Sequence, residues 1–417
     1  MSEQQADAGA LAGLRVLDLT STFMGPYCTM LLSQWGADVV KVEPPEGDVV
    51  RYISDHRQTG MGPVFLNTNR GKRSLCVDLK TTAGHDVLER LIRRSDLVAH
   101  NLRAAAAVRL GLDPASVRAG NPSCVLLVFR GFGPGGPAAG DAAYDDVIQA
   151  RSGLAALQGN GGEASYVRSS IADKAVGVFG AAAALAALHQ RDRSGAGAVV
   201  EIPMFETMVG FNLLEQQGGM TFDPPVGPAG YSRTSSVYRR PYRTRDGYVS
   251  VMIYTDAQWR AFFDLIGKPE SGTDPRFTTI RERTLHSDIL YGTVDEAMLE
   301  RTSAEWMAAL AAHGIACGPV NTLDDLFTDP HLVATGFFHQ VEHPTEGRLT
   351  LGSVTGPVGD GEHRWYAPRL GADGPDVLRE LGYDSAGIDA LRHAGVVTVP
   401  REAQAREAQA REAQNSA

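Results

Sequence analysis

The chain has 417 residues, 43% of them hydrophobic and 21% charged, with a formal net charge of −10. That composition has room for two domains and excludes a disordered or fibrous chain. The acidic balance argues against nucleic acid as a partner, because phosphate contacts need clustered Lys and Arg.

The leading residues "MSEQQADAGALAG" lack the charged and apolar regions of a signal peptide. From Leu14, "LRVLDL" predicts a buried strand, "GPYCTMLLSQWG" a helix closed by Gly36, and "ADVVKVE" the next strand. The alternation continues through "SLCVDLK", the helix "TAGHDVLERLIRRS", "DLVAHN", a short helix near 113–119 and "SCVLLVFRGF". Repeated βαβ units of this kind predict a parallel sheet covered by helices, a doubly wound α/β fold. An Ala-rich helix from 174 to 190 and the segment "AVVEIPMFETMVGFNLLEQQ" carry this large domain to residue 225. The run from Val176 to Leu188 is mostly Ala and Gly, short of the roughly 20 strongly apolar residues that span a bilayer, so no membrane association is expected.

Pro, Gly and Ser gather without periodicity in "FDPPVGPAGYSRTSS", which marks a linker. A smaller α+β domain is expected over 226–345, with "GYVSVMIY" as a strand and "DAQWRAFFDLIG", "SDILYGTVDEAMLE" and "SAEWMAALAAHG" as amphipathic helices. The strand "RLTLGS" and two short helices in "DVLRELGYDSAGIDALRHAGVV" then return to the large domain over 346–400. The repeats of 401–417 are strong helix formers without an apolar face and read as a disordered tail.

Several chemistries lose support. "TSTFMGP" stands after the first strand where a dinucleotide fingerprint would be, and no Walker loop, G-x-S-x-G elbow or H-E-x-x-H occurs. His339 and His343 lack further ligands, so no metal and no permanently bound cofactor is expected. Four widely separated cysteines fit a reducing cytoplasm. Arg70, Lys72 and Arg73 in one loop, and Arg103 and Arg109 after another strand, flank strand ends of one parallel sheet, where α/β folds bind phosphorylated ligands. Such loops are otherwise simply solvated. Asp173 precedes a long stretch whose next carboxylate is Asp192. It suits a helix N-cap, and a carboxylate held anionic by the helix dipole can also act as a nucleophile.

Taken in order, "LRVLDLTSTFMGPYCTMLLSQWGADVVKVEPPEGDVVR", "NRGKRSLCVDLK", "GFGPGGPAAGDAAYDDVIQARSGL", "ADKAVGVFGAAAALAAL", "PYRTRDGYVSV", "HGIACGPV" and "APRLGADGPDVLRELGY" resemble the family III CoA-transferases, among them formyl-CoA and carnitine CoA-transferases. The resemblance spans residues 11–397. It implies a Rossmann-like large domain built from both chain ends, a smaller central domain, and an interlocked homodimer. It also implies reversible transfer of CoA between an acyl-CoA thioester and a free carboxylic acid, through an aspartyl-CoA thioester on Asp173, with Tyr144 in the active site.

For CoA itself the resemblance implies contacts from Asn101, Arg109, Val77 and Lys80, and the cations Arg70, Lys72, Arg73 and Arg103 at the strand ends, with Leu102, are further candidate contacts. Thr22, Phe23 and Met24 are expected to line the thioester pocket. Phe23 stands where formyl-CoA transferase has glutamine, Ala142 where it has lysine and Pro44 where it has arginine, and the tetraglycine loop is missing, which disfavours formyl and oxalate. The alternatives are an α-methylacyl-CoA racemase, whose histidine falls at Tyr144, and a catalytically silent CoA-binding subunit, which has no need of Asp173. The donor and acceptor acids are not legible.

Overall fold

The computed structural model describes residues 9–356 and 364–400; the repetitive tail of 401–417 lies outside them. The described chain divides into two compact units. One comprises residues 9–152, 167–208, 338–356 and 364–400, the other 153–166 and 209–337. The expected limits of the small domain, 226 and 345, compare with 209 and 337 here, and the segment 153–166 joins it.

In the first unit β1 (Arg15–Leu19), β2 (Asp38–Glu43), β3 (Arg73–Val77), β4 (Leu97–His100), β5 (Val125–Arg130) and β6 (Val199–Pro203) form parallel pairs in the order β3-β2-β1-β4-β5-β6. Both β2 and β4 flank β1, so the winding reverses there. In open α/β sheets the crevice at the carboxyl ends beside such a reversal is where ligands bind.

The second unit pairs β7 (Tyr242–Arg243), β8 (Tyr248–Met252) and β9 (Ala316–Pro319) antiparallel. Its helices Asp256–Leu265 and Ser303–Ala312 each begin with a capping box, Thr255 with Gln258 and Thr302 with Glu305, which satisfies end N–H groups and fixes where each helix starts. Their apolar faces bury Trp259, Phe262, Phe263 and Trp306 into one aromatic core.

The chain then forms the hairpin β10 (Phe338–His343) and β11 (Gly347–Gly352) and, after two short helices, adds β12 (Val397–Thr398) to β3. This edge strand is antiparallel, unlike the rest of the sheet. Its two residues were too few to leave a period-2 pattern in the sequence.

The two faces of the large sheet differ. Leu17, Leu19, Val40, Val42, Leu75, Val77, Val98, Leu126 and Val128 form an apolar core with the helices Thr82–Arg94, Gly374–Glu380 and Ser385–His393. The alternate residues are polar, with Asp18, Lys41 and Ser74 side by side in register. Beside them packs the helix Met24–Gln34, and against it the long helix Ile171–Ser194. Length and apolar composition alone would let the long helix cross a membrane, but it buries Ala172, Val176, Gly177, Gly180, Ala181 and Ala184. A Cβ at Gly177 would lie 2.8 Å from the Met24 carbonyl oxygen, and one at Gly180 2.6 Å from the Phe129 ring, so glycine permits the close approach.

Candidate active site

Asp173 is the third residue of the long helix. Ser170 holds the N-cap position without a side-chain bond, so the expected capping role for Asp173 is not what the fold uses. The cap comes from elsewhere. Asp145, first residue of the helix Asp145–Arg151, accepts the backbone N–H of Asp173 on Oδ1 at 3.0 Å. Its Oδ2 accepts from Gln149 Nε2 at 2.5 Å, and Gln149 Oε1 in turn accepts the Val167 N–H at 2.9 Å. Asp145 and Gln149 are buried, so this pair fixes how the chain enters the long helix.

The arrangement governs protonation. Burial, and then the neighbouring Asp145 charge, push the Asp173 carboxyl up to about 7. The helix dipole was expected to hold it anionic; burial and a like charge outweigh that effect. Tyr144 is the N-cap residue before Asp145, and it is 71% exposed with no side-chain cap bond.

The loop between β1 and the Met24–Gln34 helix is held from three sides. Asn101 accepts the Ser21 N–H at 3.1 Å and donates to the Ser21 carbonyl at 3.0 Å. Asp48 accepts the Thr22 N–H, and Lys41 donates to both the Thr20 carbonyl (2.8 Å) and Asp48 (3.0 Å). Lys41 is fully buried. Burial works against its charge, but Asp18, Asp48 and Glu43 outweigh this and raise its ammonium above the usual lysine range. Beside this network Glu43 pairs with Arg51 at 2.7 Å.

Over the carboxyl ends of β1, β2 and β3 opens a cavity of about 770 Å³, a size suited to a nucleotide-bearing ligand. Four expected CoA contacts, Val77, Lys80, Leu102 and Arg109, line it. Thr20 and Ser21 reach its wall, whereas Thr22, Phe23, Met24, Asn101 and Arg103 are not among its lining residues. Asn101 instead holds the Ser21 backbone.

Three residues expected to contact CoA are engaged within the protein. Lys72 is wholly buried, and its Nζ donates to Asp18 Oδ2 (2.9 Å), the Pro26 carbonyl (2.9 Å) and Asn69 Oδ1 (2.8 Å), which uses all three protons. Arg73 opens β3 at the amino edge of the sheet, where it bridges Asp38 and Glu380 beside a smaller hollow of about 310 Å³. Arg70 is buried and donates to the Gly352 carbonyl at 2.5 Å. A basic loop that precedes a parallel strand lies at the amino end of that strand, opposite the cavity of about 770 Å³, which accounts for these placements.

Sequence reasoning missed Asp145, Gln149, Lys41, Asp48 and His85, the last being a further cavity residue. Only the four-residue spacing of Asp145 and Gln149 on one helical turn carried any signal.

Residues 11–374 match CoA-transferase family III. The chain belongs to that family. A succinyl-CoA–D-citramalate CoA-transferase of Chloroflexus aurantiacus is 29% identical over 388 residues, covering 89% of this chain and 94% of that protein. A succinyl-CoA:mesaconate CoA-transferase of Haloarcula marismortui is 30% identical over 398 residues, covering 90% and 98%. Among solved structures, the protein Rv3272 of Mycobacterium tuberculosis superposes with a TM-score of 0.75 at 27% identity, covering 89% of this chain and 99% of that one. The α/β architecture and the enzyme class expected of a family III CoA-transferase therefore stand, and acyl-CoA thioesters are the substrates of that class.

Proposed function

We propose that the chain transfers CoA between two carboxylic acids through covalent adducts on Asp173, with the CoA nucleotide in the cavity above β1–β3. The observation that carries this reading is the half-buried carboxylate of Asp173, set beside Asp145 and poised near neutrality. A group with that balance is ionised often enough to attack, yet is not so stabilised as an anion that attack becomes costly.

The Asp173 carboxylate attacks the thioester carbonyl and expels the CoA thiolate, leaving a mixed anhydride. The thiolate then attacks the aspartyl carbonyl, which releases the donor acid as its carboxylate and forms an aspartyl-CoA thioester. The acceptor carboxylate opens that thioester to a second anhydride, and the returning thiolate forms the product acyl-CoA and frees Asp173. Each step exchanges one activated carboxyl for another, so no external energy source enters. Lys80 and Arg109 offer cations to the CoA phosphates. The names of the relatives support a succinyl-class donor.

Self-association belongs to the same proposal. Phe179 on the long helix and Phe211 and Leu214 on the helix Met204–Gln216 are exposed, Leu214 at 88%, and a second copy of the chain in an interlocked dimer would cover such residues.

The decisive experiment incubates the enzyme with succinyl-CoA, adds hydroxylamine or borohydride, and locates the adduct by mass spectrometry. Labelling at Asp173 that depends on acyl-CoA supports the mechanism; full turnover by Asp173→Ala sinks it. Deuterium wash-in at the α-carbon without an acceptor acid would instead favour a racemase, and CoA affinity without either reaction a silent binder.

A further inference from the structure

Thr22 has φ 68°, in the left-handed region that a β-branched residue rarely enters without outside support. The support is specific. Its N–H points at the Asp48 carboxylate, 3.1 Å from Oδ1 and 3.2 Å from Oδ2, and no other acceptor for it exists among the described residues. Asp48 is buried and held by Lys41, which also grips the Thr20 carbonyl. Asn101 fixes Ser21 from the other side.

We propose that Asp48 is a positioning residue for the transfer reaction: it holds Thr22 in this strained conformation and so presents Phe23 and Met24 to the start of the helix that carries Asp173. The inference rests on the transferase reading above. Phe23 and Met24 follow Thr22 directly, and the Met24 carbonyl lies against Gly177, one turn beyond Asp173. A Thr22 relaxed to an extended φ would re-aim both residues. Asp48 also walls the cavity, so one side chain borders the ligand space and the loop next to the nucleophile. Balancing the Lys41 charge does not by itself explain Asp48, because Asp18 and Glu43 also act on that ammonium.

A double-mutant cycle separates positioning from mere support. Asp48→Ala, which removes both acceptor oxygens, should lower kcat about tenfold or more with a CoA-thioester KM within about threefold, since small misplacements near a nucleophile act on the reacting step. In a Thr22→Gly background the same change should cost less than about threefold, because glycine takes positive φ without strain. Equal losses in both backgrounds would overturn the proposal.

Thr22→Pro leaves every charge in place but removes the N–H and forbids positive φ. It should reproduce the kcat loss while melting remains cooperative; an unchanged kcat counts against the clamp. Amide exchange over residues 20–24 reads the loop without turnover. Faster exchange in Asp48→Ala than in wild type supports the inference, and identical exchange overturns it. A wild type that showed this difference but no CoA transfer would defeat the transferase reading and leave the clamp standing.

Discussion

Asp145 places a carboxylate oxygen 3.0 Å from the backbone nitrogen of Asp173. One contact thereby does two things. It satisfies one of the free N–H groups at the start of the long helix, and it sets a like charge beside the carboxylate read as the nucleophile.

A first consequence concerns stability. The Asp173 carboxyl ionises at about 7 in the folded chain against an ordinary value of 3.8, so between those limits the folded state binds the proton more strongly than the unfolded state. Its contribution to stability therefore falls as pH rises from 4 through 7. Asp173→Asn should melt close to wild type at pH 4 and above it at pH 8, by on the order of 2 kcal/mol. Thermal melts at the two pH values check this, and a gain of the same size at both would contradict it.

The same group should shape the rate profile. Only the anion attacks, so kcat/KM is expected to fall about tenfold per pH unit below 7 and to level off above it. Asp145→Asn keeps an oxygen for the Asp173 N–H but removes the charge, and should move the acid limb to lower pH. A limb that stays in place in this variant would show that burial alone sets the ionisation.

Arg109 lines the cavity of about 770 Å³, whereas Arg73 sits at the opposite edge of the sheet. Arg109→Leu should raise the KM for acyl-CoA about tenfold with kcat little changed, the signature of a phosphate contact kept in both ground and transition states. Arg73→Leu should leave that KM alone. Steady-state kinetics on both variants tests the assignment, and the reverse pattern would restore the sequence expectation.

The buried pair of Lys72 and Asp18 should be costly to break from one side. Lys72→Met removes a cation 2.9 Å from a carboxylate sealed from water, and is expected to cost about 3–5 kcal/mol in urea unfolding. Burial resists ionisation of Asp18, but Lys72 and Lys41 prevail and hold it down at about 2. Its stabilising contribution is thus present above the ordinary value of 3.8 and is lost as pH falls through 2. A loss below about 1 kcal/mol would mean the pair is dispensable.

Much of the fold was legible. The apolar runs around Leu17, Val40 and Val98 predicted β1, β2 and β4, and the two short returning helices expected within 376–397 form at Gly374–Glu380 and Ser385–His393. The helix expected over 174–190 begins at Ile171, where the Asp173 N–H finds the distant Asp145 carboxylate rather than a local side-chain cap. Short elements such as β12 and the helix Asp145–Arg151 left no periodic trace, being two and seven residues long.

By itself the sequence determined the alternation of strands and helices, the family motifs and the singular position of Asp173, since backbone periodicity and motif order are local properties of the chain. Tertiary structure alone decided which charges meet. Lys72 finds Asp18 across 54 residues and Asp173 finds Asp145 across 28, and no local pattern reports a partner so far away. Burial then set the consequences: low-polarity surroundings turn Lys72 into a structural ion-pair partner and bring Asp173 to the edge of ionisation at neutral pH, whereas Arg109 stays exposed at the cavity.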